Sequence, residues 1–216
     1  MQGLSARIAL SLLLMLDAAG LAAQEAKNNA PTGTDGGGLA LTPKQVELVR
    51  KVNAYFNQLT NVKGNFLQTD ADNKRQHGKF YISRPGRFRF EFSPPSRVVI
   101  VSDGKYVQIK DRDLNTDDRW DLDYTPFRAL LQKNVDLLRD VRILEAQQAD
   151  NTIVVAFEDK SGDVSSRIKL FLTSGPPVQI KAWIAKDAQG LDTRVDLTEV
   201  LKIDEPDARL FDPAAQ

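Results

Sequence analysis

The 216 residues include no cysteine and one histidine. Without a thiol there is no disulfide, no thiolate metal site and no cysteine nucleophile. The single histidine, His77, follows the polar stretch Asp70-Ala71-Asp72-Asn73-Lys74-Arg75-Gln76 and reads as a solvent-exposed turn residue rather than a catalytic base. One histidine and no cysteine also disfavour a catalytic zinc of the common ligand types, and no G-x-S-x-G nucleophile motif is present. Net charge is lacking too: 29 Lys+Arg balance 29 Asp+Glu, whereas phosphate binding leaves a basic excess or stripe. The expectations are therefore no enzyme, no cofactor or metal, and no nucleic-acid partner. No apolar run is long enough to cross a bilayer as a helix.

The chain opens with Arg7, an apolar run from Ile8 to Leu16 and the small residues Ala18-Ala19-Gly20-Leu21-Ala22-Ala23. That order reads as an export signal over residues 1–23, cut after Ala23. A lipid-anchored protein would carry cysteine next; Gln24 stands there, so a soluble exported protein is expected. Residues 24–41, rich in Asn, Gly, Thr and Pro, read as a flexible leader. The Gly36-Gly37-Gly38 cluster follows no strand and precedes no Gly-Lys-Ser/Thr, so a phosphate loop is not indicated. Residues 42–216 then form a single domain.

That domain starts with Thr42 as N-cap, Pro43 at the first helical position and Gln45 to close a capping box. Val46, Val49, Val52, Tyr55, Phe56 and Leu59 make an apolar stripe along the helix. Alternating segments follow at 62–69, 75–83, 87–92, 97–102, 106–111, 118–123, 140–148, 152–158, 165–172, 178–186 and 192–200. Between them lie turn signals such as Pro85-Gly86, Pro94-Pro95, Asp103-Gly104, Ala149-Asp150-Asn151, Ser161-Gly162 and Gln189-Gly190. The segment Asp111-Arg112-Asp113-Leu114-Asn115-Thr116 imitates a calcium loop, but Thr116 replaces the required glycine and Leu122 the closing glutamate; it reads as a polar hairpin. Asp121 and Asp123 read as charged strand ends. Two short helical pieces interrupt the meander. One follows Thr125-Pro126, which repeats the cap-plus-proline start, with Phe127, Leu130 and Leu131 on a shared face; the other spans Asn134 to Leu138.

A sheet of about eleven strands must curl, and these few helical pieces cover it only in part, leaving an apolar groove or cavity suited to a ligand. Phe88, Phe90 and Phe92 alternate with Arg87, Arg89 and Glu91. With Phe66 and Phe80 they read as core, a subset of them tilted towards ligand by the scant cover. Arg84 shares a face with Phe80 and Ile82, and two readings stand. It snorkels to the rim from the strand end, or it points inward and hydrogen-bonds carbonyls of a covering segment that ligand then displaces.

The order F-x-Q-T from Phe66, G-K-F-Y-I-S-R-P-G-R-F-R-F-E-F from Gly78, P-P-S from Pro94, V-S-D-G-K from Val101 and D-x-D-L from Asp111 resembles the LolA-type periplasmic lipoprotein carriers. T-P-F-R-A-L-L from Thr125 and L-F-D-P from Leu210 match as well, so the resemblance covers about residues 46–213. It implies an open antiparallel β-barrel with an α-helical lid over a hydrophobic cavity, acting in the periplasm as a monomer. The implied cargo is the acyl chains of lipoproteins. The implied partners are an inner-membrane ABC transporter that releases lipoproteins and an outer-membrane acceptor, or the outer membrane directly. It places the key arginine on Arg84, the cavity-edge aromatics on Phe88 and Phe90, and the lid on Phe127, Leu130 and Leu131. Phe80, Ile82 and Phe92 complete the candidate acyl-chain site. A periplasmic regulator with the same half-barrel that senses lipids or lipoproteins is the alternative.

Overall fold

The computed structural model describes residues 40–160, 167–187 and 189–215. The signal, nearly all of the leader and the Ser161-Gly162 turn lie outside the described residues. Thr42 caps the first helix, α1 (Pro43–Gln58), as its composition predicts: its backbone N–H donates to Gln45 Oε1 at 2.9 Å and its Oγ1 accepts from Gln45 N at 3.3 Å. Leu48, Val49, Val52 and Phe56 bury the helix against the sheet. Leu48 widens the stripe beyond the periodic set, while Val46 stays half-exposed.

Eleven antiparallel strands follow: β1 (Asn61–Thr69), β2 (Arg75–Ser83), β3 (Arg87–Phe92), β4 (Val98–Asp103), β5 (Tyr106–Asp111), β6 (Thr116–Asp121), β7 (Val141–Ala149), β8 (Thr152–Asp159), β9 (Arg167–Thr173), β10 (Ile180–Lys186) and β11 (Asp192–Lys202). Their order in one sheet is β6-β5-β4-β3-β2-β1-β11-β10-β9-β8-β7. The meander is continuous on each side, and the first and last strands pair in the middle. The two edges, β6 and β7, do not pair with each other, so the barrel is open. The crossover from β6 to β7 carries a 3-10 turn (Leu122–Tyr124), α2 (Arg128–Leu131) and α3 (Leu137–Asp140). One face of the sheet, α1 and this crossover share a single apolar core. The fold is the expected open half-barrel with a helical lid.

Three local readings differ. The sixth strand stops at Asp121 instead of running to 123, because the Asp121 carboxylate accepts from Asp123 N at 3.0 Å and starts the 3-10 turn. Thr125 does not cap α2; its hydroxyl donates to Leu122 O at 2.8 Å, and Phe127 stands at the N-cap position without a side-chain cap. His77 is exposed as expected but lies within β2, not in the turn before it.

The opposite face of β3–β5 is covered by the C-terminal segment, 3-10 turns Ala208–Phe211 and Pro213–Ala215. Phe211 is buried, with the Arg87 guanidinium 5.5 Å from its ring centre. Arg89 Nη1 donates to Leu210 O at 3.3 Å and Lys110 Nζ to Pro213 O at 2.8 Å. The polar side of the alternating R-F-R-F-E-F strand thus carries its own cover.

Two glycines admit the aromatic rings of the inner face. Gly64 pairs with Phe80 across β1–β2, and Gly78 pairs with Phe66. A Cβ on Gly78 would run into the Glu91 carbonyl oxygen of β3 and lie 2.6 Å from Phe66 ring carbons, so both the neighbouring strand and the ring rest on bare backbone. Gly78→Ala is expected to push away both the β3 backbone at Glu91 and the Phe66 ring and cost at least about 1–3 kcal/mol by overpacking. Thermal unfolding checks this: Tm should fall by about 2–4 °C per kcal/mol, and an unchanged Tm would mean that strand and ring both yield freely.

Candidate functional site

The last carbonyls of a helix lack intrahelical donors and gather negative potential. Helix α1 ends at Leu59 with no basic residue in its own last turn. The missing cation comes from the end of β2. Arg84 Nη1 donates to Phe56 O and, at 3.3 Å, to Leu59 O. Its Nη2 donates to Gln132 O and, at 3.4 Å, to Lys133 O, both just beyond α2. Next to it, Gly86 N donates to Leu131 O at 3.0 Å. Arg84 is therefore turned inward, tying the helix end to the crossover. Its partners are neutral carbonyls, its Nε is buried without a hydrogen bond, and burial pulls its pKa below the ordinary arginine value.

Beneath this knot lies an apolar cavity of about 90 Å³. Phe80, Ile82 and Arg84 line it from β2, Phe88 and Phe90 from β3, and Phe127, Leu130 and Leu131 from the crossover. Phe92 does not line it: its ring packs edge-on against Phe66 at 5.0 Å, deeper in the core. The rings pack on one another, Phe80 stacked on Phe90 at 5.7 Å and Phe88 edge-on to Phe90 at 6.0 Å.

The sequence reading missed the wall opposite. Ile180 and Trp183 of β10 and Val200 of β11 also line the cavity. Strict alternation cannot put Ile180 and Trp183 on one face. A bulge does: the register against β9 shifts between Ile180 and Ala182, so both face inward opposite Leu172 and Leu170. A second shift, where β1 meets β11 between Lys63 and Asn65, is accompanied by a positive φ of 53° at Glu199 and turns Val200 inward after Leu197. Trp183 joins the walls, edge-on to Phe90 at 6.2 Å and to Phe127 at 5.9 Å. No motif marked it; the bulge is invisible to a period-2 count.

The crossover has further anchors. Asn57 exchanges a complete amide pair with Val135: Nδ2 donates to Val135 O at 3.0 Å and Oδ1 accepts from Val135 N at 2.8 Å. One turn earlier, Asn53 Oδ1 accepts from Leu137 N at 3.1 Å. At the other end Arg128 pairs with Asp159 at 2.8 Å. Residues 135–137 are thus fixed to α1 by neutral amides, and residues 128–133 by Arg84, Gly86 and Asp159.

Comparison with known families matches residues 57–214 to the family described as "Outer membrane lipoprotein carrier protein LolA". The chain belongs to the LolA family. An outer-membrane lipoprotein carrier protein of Chromobacterium violaceum is 31% identical over 166 residues, 73% of this chain and 78% of that protein. One from Halorhodospira halophila is 27% identical over 182 residues, 80% and 84% of the two chains. A crystal structure of a LolA superfamily protein from Nitrosomonas europaea aligns at 10% identity and a TM-score of 0.41, over 78% of this chain and 99% of that one. The LolA match contains Arg84, every strand and the crossover, but begins at residue 57, leaving most of α1 and Asn53 before it.

Asn57→Leu removes both partners of Val135 at once. Leaving those backbone groups unpaired is expected to cost about 1–3 kcal/mol locally. Hydrogen exchange should show faster amide exchange over residues 134–138 and unchanged protection in β1–β3; an unaffected 134–138 segment would mean the clamp is dispensable.

Proposed function

We propose that this protein is a periplasmic carrier that shelters the acyl chains of lipoproteins under the crossover, acting as a lid, and moves them from the inner to the outer membrane. Its donor is an inner-membrane ABC transporter, and its recipient an outer-membrane acceptor or that membrane itself. The carrier works as a monomer, through the domain at 42–216. The observation that carries the reading is the Arg84 knot: a charged side chain closes an apolar cavity through backbone carbonyls alone, with no carboxylate to lock it.

Magnitudes set the mechanism. Three acyl chains fully buried at about 0.8 kcal/mol per methylene would exceed about 30 kcal/mol, past the roughly 20 kcal/mol at which affinities level off. A carrier that bound so well would never deliver. Closure through Arg84 opposes the ligand instead. The charged hydrogen bonds, about 1.5–3 kcal/mol each, are made in the empty state and surrendered when chains push the lid away, so part of the burial energy is refunded on release. The chains then pass to a better apolar phase with no covalent step.

Arg84→Leu removes the force that closes the empty lid. Its variant should bind a tripalmitoylated lipopeptide more tightly and release it to acceptor vesicles at least about tenfold more slowly, the effect of losing one such charged hydrogen bond. Phe88→Glu places a charge on the cavity wall and should abolish retention while far-UV circular dichroism stays unchanged. Transfer by both variants at the unsubstituted rate would overturn the proposal.

A further inference from the structure

A second hollow, of about 560 Å³, opens between α1 and the loop joining β9 to β10. That falls within the ~300–1,000 Å³ of small-molecule sites. Its floor is apolar, with Ala54 on α1 facing Pro176, Pro177 and Val178 on the loop. Its back wall is the notable part. Leu59, Val62 and Val200 line this hollow and also line the apolar cavity under the crossover. Those three side chains are all that both spaces share, and they form the partition between them.

The two sides of the hollow are built differently. The loop is braced: Gln179 N donates to Thr173 Oγ1 at 2.9 Å, that hydroxyl donates to Pro177 O at 2.8 Å, and Gln179 Nε2 donates to Val200 O at 3.3 Å. The partition is held from the α1 side, because Leu59 is the residue whose carbonyl accepts from Arg84. Tyr55, also lining the hollow, has a buried hydroxyl that forms no hydrogen bond of ordinary geometry, although the Ile180 backbone is near. Lys51 and Lys202 stand at the rim; Lys51 is shared with Glu47 at 3.2 Å.

We propose that this hollow is an acyl-chain vestibule: a chain of the lipoprotein cargo lies along its apolar floor with its carbonyl end at the rim lysines, and passes Leu59 into the inner cavity when Arg84 lets go. The inference rests on the carrier reading and adds the route and a second subsite. With the crossover in place the inner cavity measures about 90 Å³ against about 560 Å³ for the hollow, so a chain that meets the protein before the crossover moves finds its room in the hollow. The hollow is the adjoining space, it is apolar where a chain would run and cationic where ester and amide oxygens would emerge. The Tyr55 hydroxyl supplies a donor for a chain's carbonyl on the way in.

The test uses the full chain and a synthetic tripalmitoylated lipopeptide, with palmitate and phosphatidylglycerol vesicles as separate arms. The photo-reactive residue p-benzoyl-phenylalanine is placed at position 178 for the vestibule or at position 88 for the inner cavity. Ala54→Trp, at an exposed helix position, fills the vestibule without touching the cavity. Crosslinks to the lipopeptide from both positions, with affinity about tenfold weaker in Ala54→Trp at unchanged Tm, are expected; losing contact with about two methylenes already gives that factor. A crosslink from position 88 alone, with Ala54→Trp binding normally, overturns the vestibule and leaves the carrier reading intact. Crosslinking at position 178 by palmitate or vesicles but not by lipopeptide also overturns it. Failure of the unsubstituted protein to bind lipopeptide at all overturns both.

Discussion

The Arg84 guanidinium joins three pieces that no strand ladder connects: the end of α1, the crossover beyond α2, and the β2–β3 turn. Each gains from the others. The helix has terminal carbonyls and no cation of its own, the crossover has carbonyls facing the sheet, and the arginine, half-buried, must find acceptors or carry an uncompensated desolvation cost. A carboxylate partner would have satisfied it better and fixed it permanently. Carbonyls satisfy it partly: its Nε stays buried without a partner. The result is a closed state that is favourable by a margin comparable with the burial of a few methylenes, which is the condition for a ligand of that kind to compete with it.

The apolar side of the same balance is the collapse of the binding surface onto itself. A dry cavity costs about 24 cal/mol per Å³, so the 90 Å³ left under the knot is a burden of only about 2 kcal/mol. Phe80, Phe88, Phe90, Trp183 and Phe127 achieve this by packing edge-to-face and stacked across the space between sheet and crossover. The side chains that would meet an acyl chain are the core of the empty protein, and that is why most of them are buried as deeply as ordinary core residues. On the proposed carrier reading, being core and being binding surface are not alternatives; they would be the same residues in two states of the lid.

Much of this was legible in the chain. Alternation over Phe88, Phe90 and Phe92 gave the inner face of β3 correctly, and the position of Arg84 two residues past Ile82 put it on the cavity side. What alternation could not give was its partners, because backbone carbonyls have no sequence signature. Nor could it separate Phe92 from its neighbours, since that depends on Gly78, whose missing side chain lets Phe66 occupy the space and take Phe92 into the core. Trp183, Ile180 and Val200 were hidden by bulges that break the period of two. Asn53 and Asn57 fall outside the helix's apolar stripe, and only the folded crossover gives their amides a purpose.

The anchors of the crossover differ in kind, and the difference decides how it moves. Residues 135–137 are held by amides that complete the backbone's own hydrogen-bonding needs, and nothing apolar competes for those groups. Residues 128–133 carry Leu130 and Leu131 into the cavity and are held by the Arg84 bonds to neutral carbonyls, by Gly86 N and, at their start, by the Arg128–Asp159 pair. An acyl chain pressing from below exchanges contact for contact with those leucines but offers no substitute for the Asn57–Val135 pair. On the proposed reading, motion would concentrate between these two anchor points, around the exposed Lys133 and Asn134, with α1 and residues 135–137 staying one unit. Because Leu59 ends that unit and also meets Arg84, the proposed release of the arginine would loosen the lid and the helix end together, coupling the two walls that a long apolar ligand would have to part.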